Sequence, residues 1–148
     1  MTLTKQPPAL LVVVEDSDED FDTVVEAVQR SGMAVEMCRA TTGEGGLEVL
    51  RERAADRPVL VLMDLNTPGT DGRDALATLK ADSALKLIPV IVFSTSANPK
   101  DVGYCYAAGA NAYHVKPVRY PDHLQLVTEL ISYWLGRVAL SAVTGANS

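Results

Sequence analysis

The chain is short of cysteine and has no long hydrophobic run. Its two cysteines, Cys38 and Cys105, do not suggest a disulfide scaffold, so we expect reduced thiols and a cytoplasmic protein. No apolar run approaches the roughly 20 residues of a transmembrane helix, and the amino terminus lacks the apolar core of a secretory signal. We therefore expect neither a membrane protein nor a secreted one.

Positive charge is also scarce. The 13 lysines and arginines face 19 aspartates and glutamates, which gives a net charge of -6. Nonspecific binding to nucleic acid depends on clustered basic side chains, and no basic stripe is present, so we expect no nucleic-acid partner. The length of 148 residues suits one core. We predict a short disordered lead-in at residues 1–8, a single domain at 9–140, a flexible tail at 141–148 and no output domain.

Five short apolar segments alternate with helical patterns. Strands are predicted at 10–14, 35–40, 58–64, 90–93 and 112–115. Helices are predicted from 17 or 18 to 32, from 41 through 50, at 73–82, at 98–109 and from 121 towards 140. The second helix is expected to start with a capping box formed by Thr41 and Glu44. This alternation predicts an α/β fold: a doubly wound, five-stranded parallel sheet in the flavodoxin-like order 2-1-3-4-5, with helices on both faces.

Polar side chains stand where four of these strands end. They are Glu15 and Asp16 after the first strand, Asp64 after the third, Ser94 after the fourth and Lys116 after the fifth. In open parallel sheets, ligands bind outside the carboxyl ends of the strands. The expected strand order makes Asp16 and Asp64 neighbours and puts Lys116 ~10 Å from Asp64, within reach of an extended lysine. We therefore expect one site that contains carboxylates, a hydroxyl and an ammonium.

The chemistry of this site follows from its charges. The neighbouring carboxylates repel one another, so the cluster either raises the pKa of one acid or recruits a cation. Oxygen ligands with room for water and phosphate suit Mg²⁺, held by Asp16, Asp64 and the backbone carbonyl of Asn66. Asp64 is then expected to attack a phosphoryl donor and form an aspartyl phosphate. Lys116 neutralises charge on the phosphoryl oxygens, and Ser94 hydrogen-bonds the new group.

Together these residues resemble the receiver domains of two-component response regulators, over roughly residues 9 to 136. The matching motifs are Glu15-Asp16, Asp64 followed by Pro68 and Asp71-Gly72, Ser94 five residues after Pro89, and Ala108-Gly109-Ala110 leading into Lys116-Pro117. The resemblance implies that a histidine kinase phosphorylates Asp64. It also implies that Asp16, Asp64 and the Asn66 carbonyl bind Mg²⁺, while Glu15 acts through a water molecule.

The same resemblance implies a conformational switch. Ser94 is expected to move towards the phosphoryl group and Tyr113 to rotate inward. In this family the peptide bond equivalent to Lys116–Pro117 is usually cis, so we predict a cis bond here. The general frequency of cis X–Pro bonds is only about 5–6%.

Three further segments resemble the single-domain regulators that accompany bacterial phytochromes. They are Ser94-Thr95-Ser96, Asn111-Ala112-Tyr113 and Tyr133-Trp134-Leu135. The implied kinase is a bacteriophytochrome, and the implied homodimer uses the fourth helix, fifth strand and fifth helix. The last helix also carries two apolar arcs, the second of which marks either a partner surface or core under the tail. We predict a dimer face at Leu126, Leu130, Tyr133 and Trp134.

The favoured interpretation is a signalling protein rather than an enzyme that acts on an external substrate. One alternative is a phosphorylation-independent dimeric adaptor on the same fold. Another is a Mg²⁺-dependent phosphatase of the haloacid-dehalogenase type, but that class needs an aspartate where this chain has Asn66. His114 and His123 are too far from any cysteine or other histidine to suggest a transition-metal site, and we expect both to be surface or loop residues.

Overall fold

The computed structural model describes residues 8–66 and 72–142. The predicted lead-in and tail lie outside the described residues, except for Pro8, Ser141 and Ala142. Pro68 and Asp71, which contributed to the family resemblance, also lie outside them. Ala142 forms an antiparallel bridge with Pro58, so the chain still contacts the domain two residues beyond its predicted end.

Five strands and five helices alternate along the described chain. The strands are β1 (Ala9–Val14), β2 (Val35–Ala40), β3 (Val59–Asp64), β4 (Val90–Ser94) and β5 (Ala112–Val115). The helices are α1 (Asp18–Ser31), α2 (Gly43–Arg53), α3 (Gly72–Ala81), α4 (Pro99–Ala108) and α5 (Tyr120–Gly136). The strands form one parallel sheet in the order β2-β1-β3-β4-β5, which confirms the predicted fold class. None of the helices in these ranges is long and apolar enough to cross a membrane.

The core consists of two apolar clusters, one on each face of the sheet. Leu60 and Leu62 of β3 pack in the cluster that α1 and α5 cover. Val61 and Met63 point to the opposite face and pack in the cluster that α2, α3 and α4 cover. Alternate side chains of β3 are therefore buried on both faces, as the continuous apolar run predicted. This packing sets where the strands end, and hence where their polar residues lie.

Two helix ends differ from the sequence prediction. The N-cap of α2 is Thr42 rather than Thr41, because the Thr42 hydroxyl accepts the Gly45 N–H at 3.0 Å. Two adjacent threonines make a one-residue error easy, since either hydroxyl suits the position. Helix α5 ends at Gly136 instead of continuing towards Leu140. Glycine supports a helix poorly, which is consistent with an end there.

The predicted dimer face is wrong at Leu130. This side chain is only 6% exposed and lies in the core cluster beneath α1 and α5. Leu126 and Trp134 are partly buried against the same cluster, whereas Tyr133 is 58% exposed. Helix α5 packs along α1 as well as on the sheet, so it buries a wider arc than a helix with a single neighbour.

The predicted cis bond is also wrong. No peptide bond among the described residues is cis, so Lys116–Pro117 is trans. The trans form of an X–Pro bond is favoured by about 0.5–1 kcal/mol in the absence of other constraints. With this bond trans, the Lys116 side chain reaches the acids of the site.

Two glycines of α4 should respond oppositely to substitution by alanine. Gly109, at the C-cap, has φ +110°, and a Cβ there would lie 2.8 Å from Lys80 Cγ. Gly103 lies inside the helix, with nothing within 4 Å of the added atom. We expect Gly109→Ala to lower the free energy of unfolding by about 1–3 kcal/mol. Gly103→Ala should raise it by about 0.5–1 kcal/mol.

Urea unfolding followed by circular dichroism measures both changes. Gly103→Ala is the matched control, because both variants add one methyl group to the same helix. Equal effects of the two variants would contradict the assigned backbone conformation at Gly109.

Candidate functional site

The polar residues predicted at the strand ends lie at one edge of the sheet. They are Glu15 and Asp16 after β1, Asp64 at the end of β3, Ser94 at the end of β4 and Lys116 after β5. The strand register pairs Val14 with Met63 and Ser94 with Val115, so these strands end almost level. Because the strands are parallel, their carboxyl ends bring these side chains together from segments far apart in sequence.

The Lys116 ammonium lies at the centre of this site. It donates hydrogen bonds to Asp20 Oδ2 at 2.7 Å, to Glu15 Oε1 at 2.9 Å and to Asp64 Oδ2 at 3.1 Å. The lysine side chain is only 10% exposed. An ammonium has three N–H donors, so these contacts use all of them.

Backbone amides hold the two buried acids in place. Asp64 Oδ1 accepts the Asn66 N–H at 2.9 Å, and Glu15 Oε2 accepts the Ser17 N–H at 3.2 Å. In each carboxylate, one oxygen therefore accepts a hydrogen bond from a backbone N–H and the other accepts one from Lys116. This arrangement orients the Asp64 side chain before any ligand binds.

The buried charges change two pKa values. Burial, and after it a hydrogen bond with Asp64, raise the pKa of Glu15, and Lys116 opposes both effects; the net pKa is about 7. Burial alone would lower the pKa of Lys116, but hydrogen bonds to Asp20 and Glu15 outweigh it and the pKa rises. Lys116 thus stays charged at neutral pH, whereas Glu15 exchanges its proton near neutrality.

Ser94 and Tyr113 meet at the loop that follows β4. The buried Ser94 hydroxyl accepts the Ser96 N–H at 3.1 Å. The Tyr113 hydroxyl donates to the Ser96 carbonyl at 2.7 Å, and its ring packs against the core. Both predicted switch residues therefore contact Ser96, and Tyr113 is already directed inward.

A comparison with known proteins identifies the family. Residues 11–128 match the family model of the response regulator receiver domain. The chain belongs to the response-regulator receiver family. This receiver is 35% identical to response regulator Rcp1 of Synechocystis sp., over 96% of this chain and 99% of that protein.

Solved structures agree with this assignment. The Mn²⁺-bound form of Rcp1 superposes with a TM-score of 0.85 at 35% identity, covering 91% of this chain and 100% of that one. The phosphorylated cyanobacterial phytochrome response regulator RcpA gives a TM-score of 0.84 at 34% identity, covering 90% and 99%. The predicted family and its resemblance to regulators of phytochrome signalling are confirmed.

The acids of this receiver suit a divalent cation. Glu15, Asp16 and Asp64 each offer a carboxylate oxygen, and these oxygens lie within 4.8 Å of one another. Asp16 is exposed while the other two acids are buried, so the oxygens face both the protein and the solvent. Hard cations such as Mg²⁺ prefer oxygen ligands and retain several waters. The donor set therefore fits the predicted metal.

Sequence reasoning missed Asp20 as part of the site. It is one of three acids in the first turn of α1, with nothing in the sequence to separate it from Asp18 and Glu19. In the structure the Ser17 cap accepts the Asp20 N–H, and the carboxylate makes the shortest of the Lys116 contacts. Only the position of Lys116 distinguishes this acid from its solvated neighbours.

His123 was expected at the surface or in a loop, and this expectation is wrong. The residue lies in α5, is 8% exposed and has its Nδ1 4.0 Å from Asp20 Oδ1. Burial lowers its pKa, and its ring meets the edge of Phe93. Its spacing from Val127 and Ile131 matches the core stripe of α5, which is the signal that identifies it as buried.

The pKa of Glu15 predicts a specific pH dependence of stability in the metal-free receiver. Its pKa of about 7 in the folded protein exceeds the ordinary glutamate value of 4.5, so between these pH values the folded protein holds more protons than the unfolded chain. Stability should then fall as the pH rises through this interval. We expect wild type to lose on the order of 1 kcal/mol relative to Glu15→Gln between about pH 5 and pH 8.

Urea unfolding in EDTA at both pH values measures this difference. The histidines titrate in both proteins, so their contribution cancels in the comparison. An identical pH dependence of wild type and Glu15→Gln would show that Glu15 does not bind a proton near neutrality.

Proposed function

We propose that this receiver is switched by phosphorylation of Asp64. The observation that carries the proposal is the buried Asp64 carboxylate, fixed by the Asn66 N–H and facing the Lys116 ammonium. A carboxylate oxygen of Asp64 attacks the phosphorus of a phosphohistidine on the kinase. The P–N bond of the donor breaks, a P–O bond to Asp64 forms, and the histidine nitrogen leaves with the electron pair.

The residues around Asp64 have complementary tasks. Asp16, Asp64, the Asn66 carbonyl and, through water, Glu15 would hold Mg²⁺, and the bound ion would supply positive charge near the transferring phosphoryl oxygens. Lys116 gives up one of its three carboxylate contacts and pairs with a phosphoryl oxygen. Its contact with Asp64 is the longest of the three, so it is the first that we expect to change.

Ser94 and Tyr113 connect the site to a protein-binding surface. The Ser94 hydroxyl donates a hydrogen bond to the phosphoryl group. Tyr113 moves together with the loop that contains Ser96. The surface formed by α4, β5 and α5 carries exposed apolar side chains: Tyr104, Tyr106, Val115 and Tyr133. Exposed apolar patches often mark partner sites. We assign the homodimer interface to this surface, with Leu130 beneath it in the core.

The proposed donor is a histidine kinase of the phytochrome type. Its support is the likeness to Rcp1 and to the phytochrome response regulator RcpA, over nine tenths or more of this chain. Transfer from a phosphorylated phytochrome kinase, run beside a histidine kinase of another sensory class, tests this pairing. Equal transfer from both kinases would contradict it.

Intact-mass spectrometry after incubation with acetyl phosphate and Mg²⁺ tests the phosphorylation. We expect wild type to gain the mass of one phosphoryl group, because Asp64 is the oriented nucleophile of the site. Asp64→Asn should gain nothing, and EDTA should abolish the gain in wild type. Asp74→Asn, which removes an exposed acid of α3, should be modified like wild type.

Sedimentation velocity on the same samples tests the dimer. We expect Tyr133→Lys to shift wild-type dimers towards monomers without preventing phosphorylation. A wild type that remains unmodified, under conditions that label another receiver, would contradict the switch. Dimerisation would then favour the phosphorylation-independent adaptor.

A further inference from the structure

Ser96 connects Ser94 of the proposed phosphorylation site to Tyr113 in β5 and to Asp101 in α4. Its N–H donates to Ser94 Oγ at 3.1 Å, and its carbonyl accepts the Tyr113 hydroxyl at 2.7 Å. Its own hydroxyl donates to Asp101 Oδ2 at 2.5 Å. Ser94 and Tyr113, the two residues assigned to the switch, are thus attached to the backbone of one residue, and the side chain of that residue is attached to Asp101.

Asp101 is in turn held from α3. It lies in the first turn of α4, and its second oxygen, Oδ1, accepts a hydrogen bond from Arg73 Nη2 at 2.6 Å. The hydrogen bond from Ser96 and the contact with Arg73 lower the pKa of Asp101, so the carboxylate is charged at neutral pH. Hydrogen bonds to an ionised group are shorter and stronger than neutral ones. Asp101 therefore ties the loop after β4 to the first turns of both α3 and α4.

This arrangement determines what the Ser94 hydroxyl can do. A hydroxyl has one hydrogen to donate and accepts hydrogen bonds through its oxygen. The Ser96 N–H uses the oxygen of Ser94 as an acceptor, and no group in residues 8–66 or 72–142 accepts the Ser94 hydrogen. That hydrogen is consequently free to bind a phosphoryl oxygen, provided that Ser96 stays where Asp101 holds it.

We propose that Asp101 is a positioning residue for phosphorylation of Asp64, acting through Ser96 on Ser94 and Tyr113. The proposal rests on the proposed function of Asp64, because its effect on rate requires the phosphoryl transfer. Arg73 orients Asp101 and does not touch the reacting atoms. The same contacts link the phosphorylation state to the start of α4, which belongs to the proposed dimer surface.

The rate of phosphorylation at varied acetyl phosphate concentration and fixed Mg²⁺ tests this role. Asp101→Ala and Ser96→Ala should each lower the saturating rate about 3-fold to 10-fold, the loss expected from one hydrogen bond. The affinity for Mg²⁺ should stay the same, because Asp101 is not among the proposed ligands. Asp122→Ala is the matched control, since it removes an exposed first-turn acid of α5 and should match wild type within about twofold.

Two combinations separate positioning from a general loss of structure. Asp101→Asn keeps an oxygen for the Ser96 hydroxyl and should restore much of the rate lost in Asp101→Ala. In a Ser94→Ala background, Asp101→Ala should not lower the phosphorylation rate further, because the hydroxyl that binds the phosphoryl group belongs to Ser94. The proposal would be overturned if Asp101→Ala lowered the phosphorylation rate by the same factor in the Ser94→Ala background as in wild type. A wild-type rate in the Asp101→Ala single variant would also overturn it.

Amide hydrogen exchange by NMR tests, without any phosphoryl donor, whether Asp101 holds Ser96 in place. In the unphosphorylated protein, Asp101→Ala should speed exchange of the Ser96 N–H about fivefold or more and leave Val92 in β4 unchanged. If exchange at Ser96 speeds up but wild type is never phosphorylated, Asp101 does hold Ser96 in place, and the proposed function of Asp64 fails. Unchanged exchange at Ser96 would refute the positioning of Ser96 by Asp101, whatever the phosphorylation result.

Discussion

One ammonium group holds the functional edge of this receiver together. Lys116 donates to Glu15, Asp20 and Asp64, and two of these acids, Glu15 and Asp64, are deeply buried. Burying an unpaired carboxylate is costly, because the loss of hydration is not repaid. Even with the lysine present, burial and Asp64 raise the pKa of Glu15 to about 7. The site therefore retains an excess of negative charge that a divalent cation would neutralise.

The fold places this charge where a small change can be transmitted. Lys116 follows β5 and reaches across the strand ends to Asp64 of β3, Glu15 just after β1 and Asp20 of α1, so its rearrangement affects several elements together. Ser94 lies at the end of β4, between Asp64 and the strand that carries Tyr113. The loop after β4 connects that serine to α4 through Ser96 and Asp101. In this account, chemistry at Asp64 reaches the α4–β5–α5 surface through hydrogen bonds rather than through a distant apolar contact.

The three central strands could be predicted because they are buried on both faces, and the alternation of strands with helices predicted the strand order. A continuous run such as Leu60-Val61-Leu62-Met63, followed by turn residues, is typical of a parallel strand covered on both faces, and the polar residue at its end then lies at the sheet edge. Leu130 was misplaced because a helical wheel shows the width of the apolar arc on α5 but not how many elements pack against the helix. Asp20 was missed because its partner, Lys116, is 96 residues away along the chain. The trans Lys116–Pro117 bond departs from the family's habit and agrees with the general preference of X–Pro bonds.

The stability of Lys116→Met, in EDTA and in excess Mg²⁺, tests most directly whether this ammonium holds the site together. Methionine keeps most of the length of the side chain but leaves the acids without a cation. We expect the variant in EDTA to be less stable than wild type by about 3 kcal/mol near pH 8, the scale for a buried pair that loses one partner. Mg²⁺ should stabilise the variant more than wild type. Equal stability of both proteins in EDTA, with equal gains from Mg²⁺, would contradict the account.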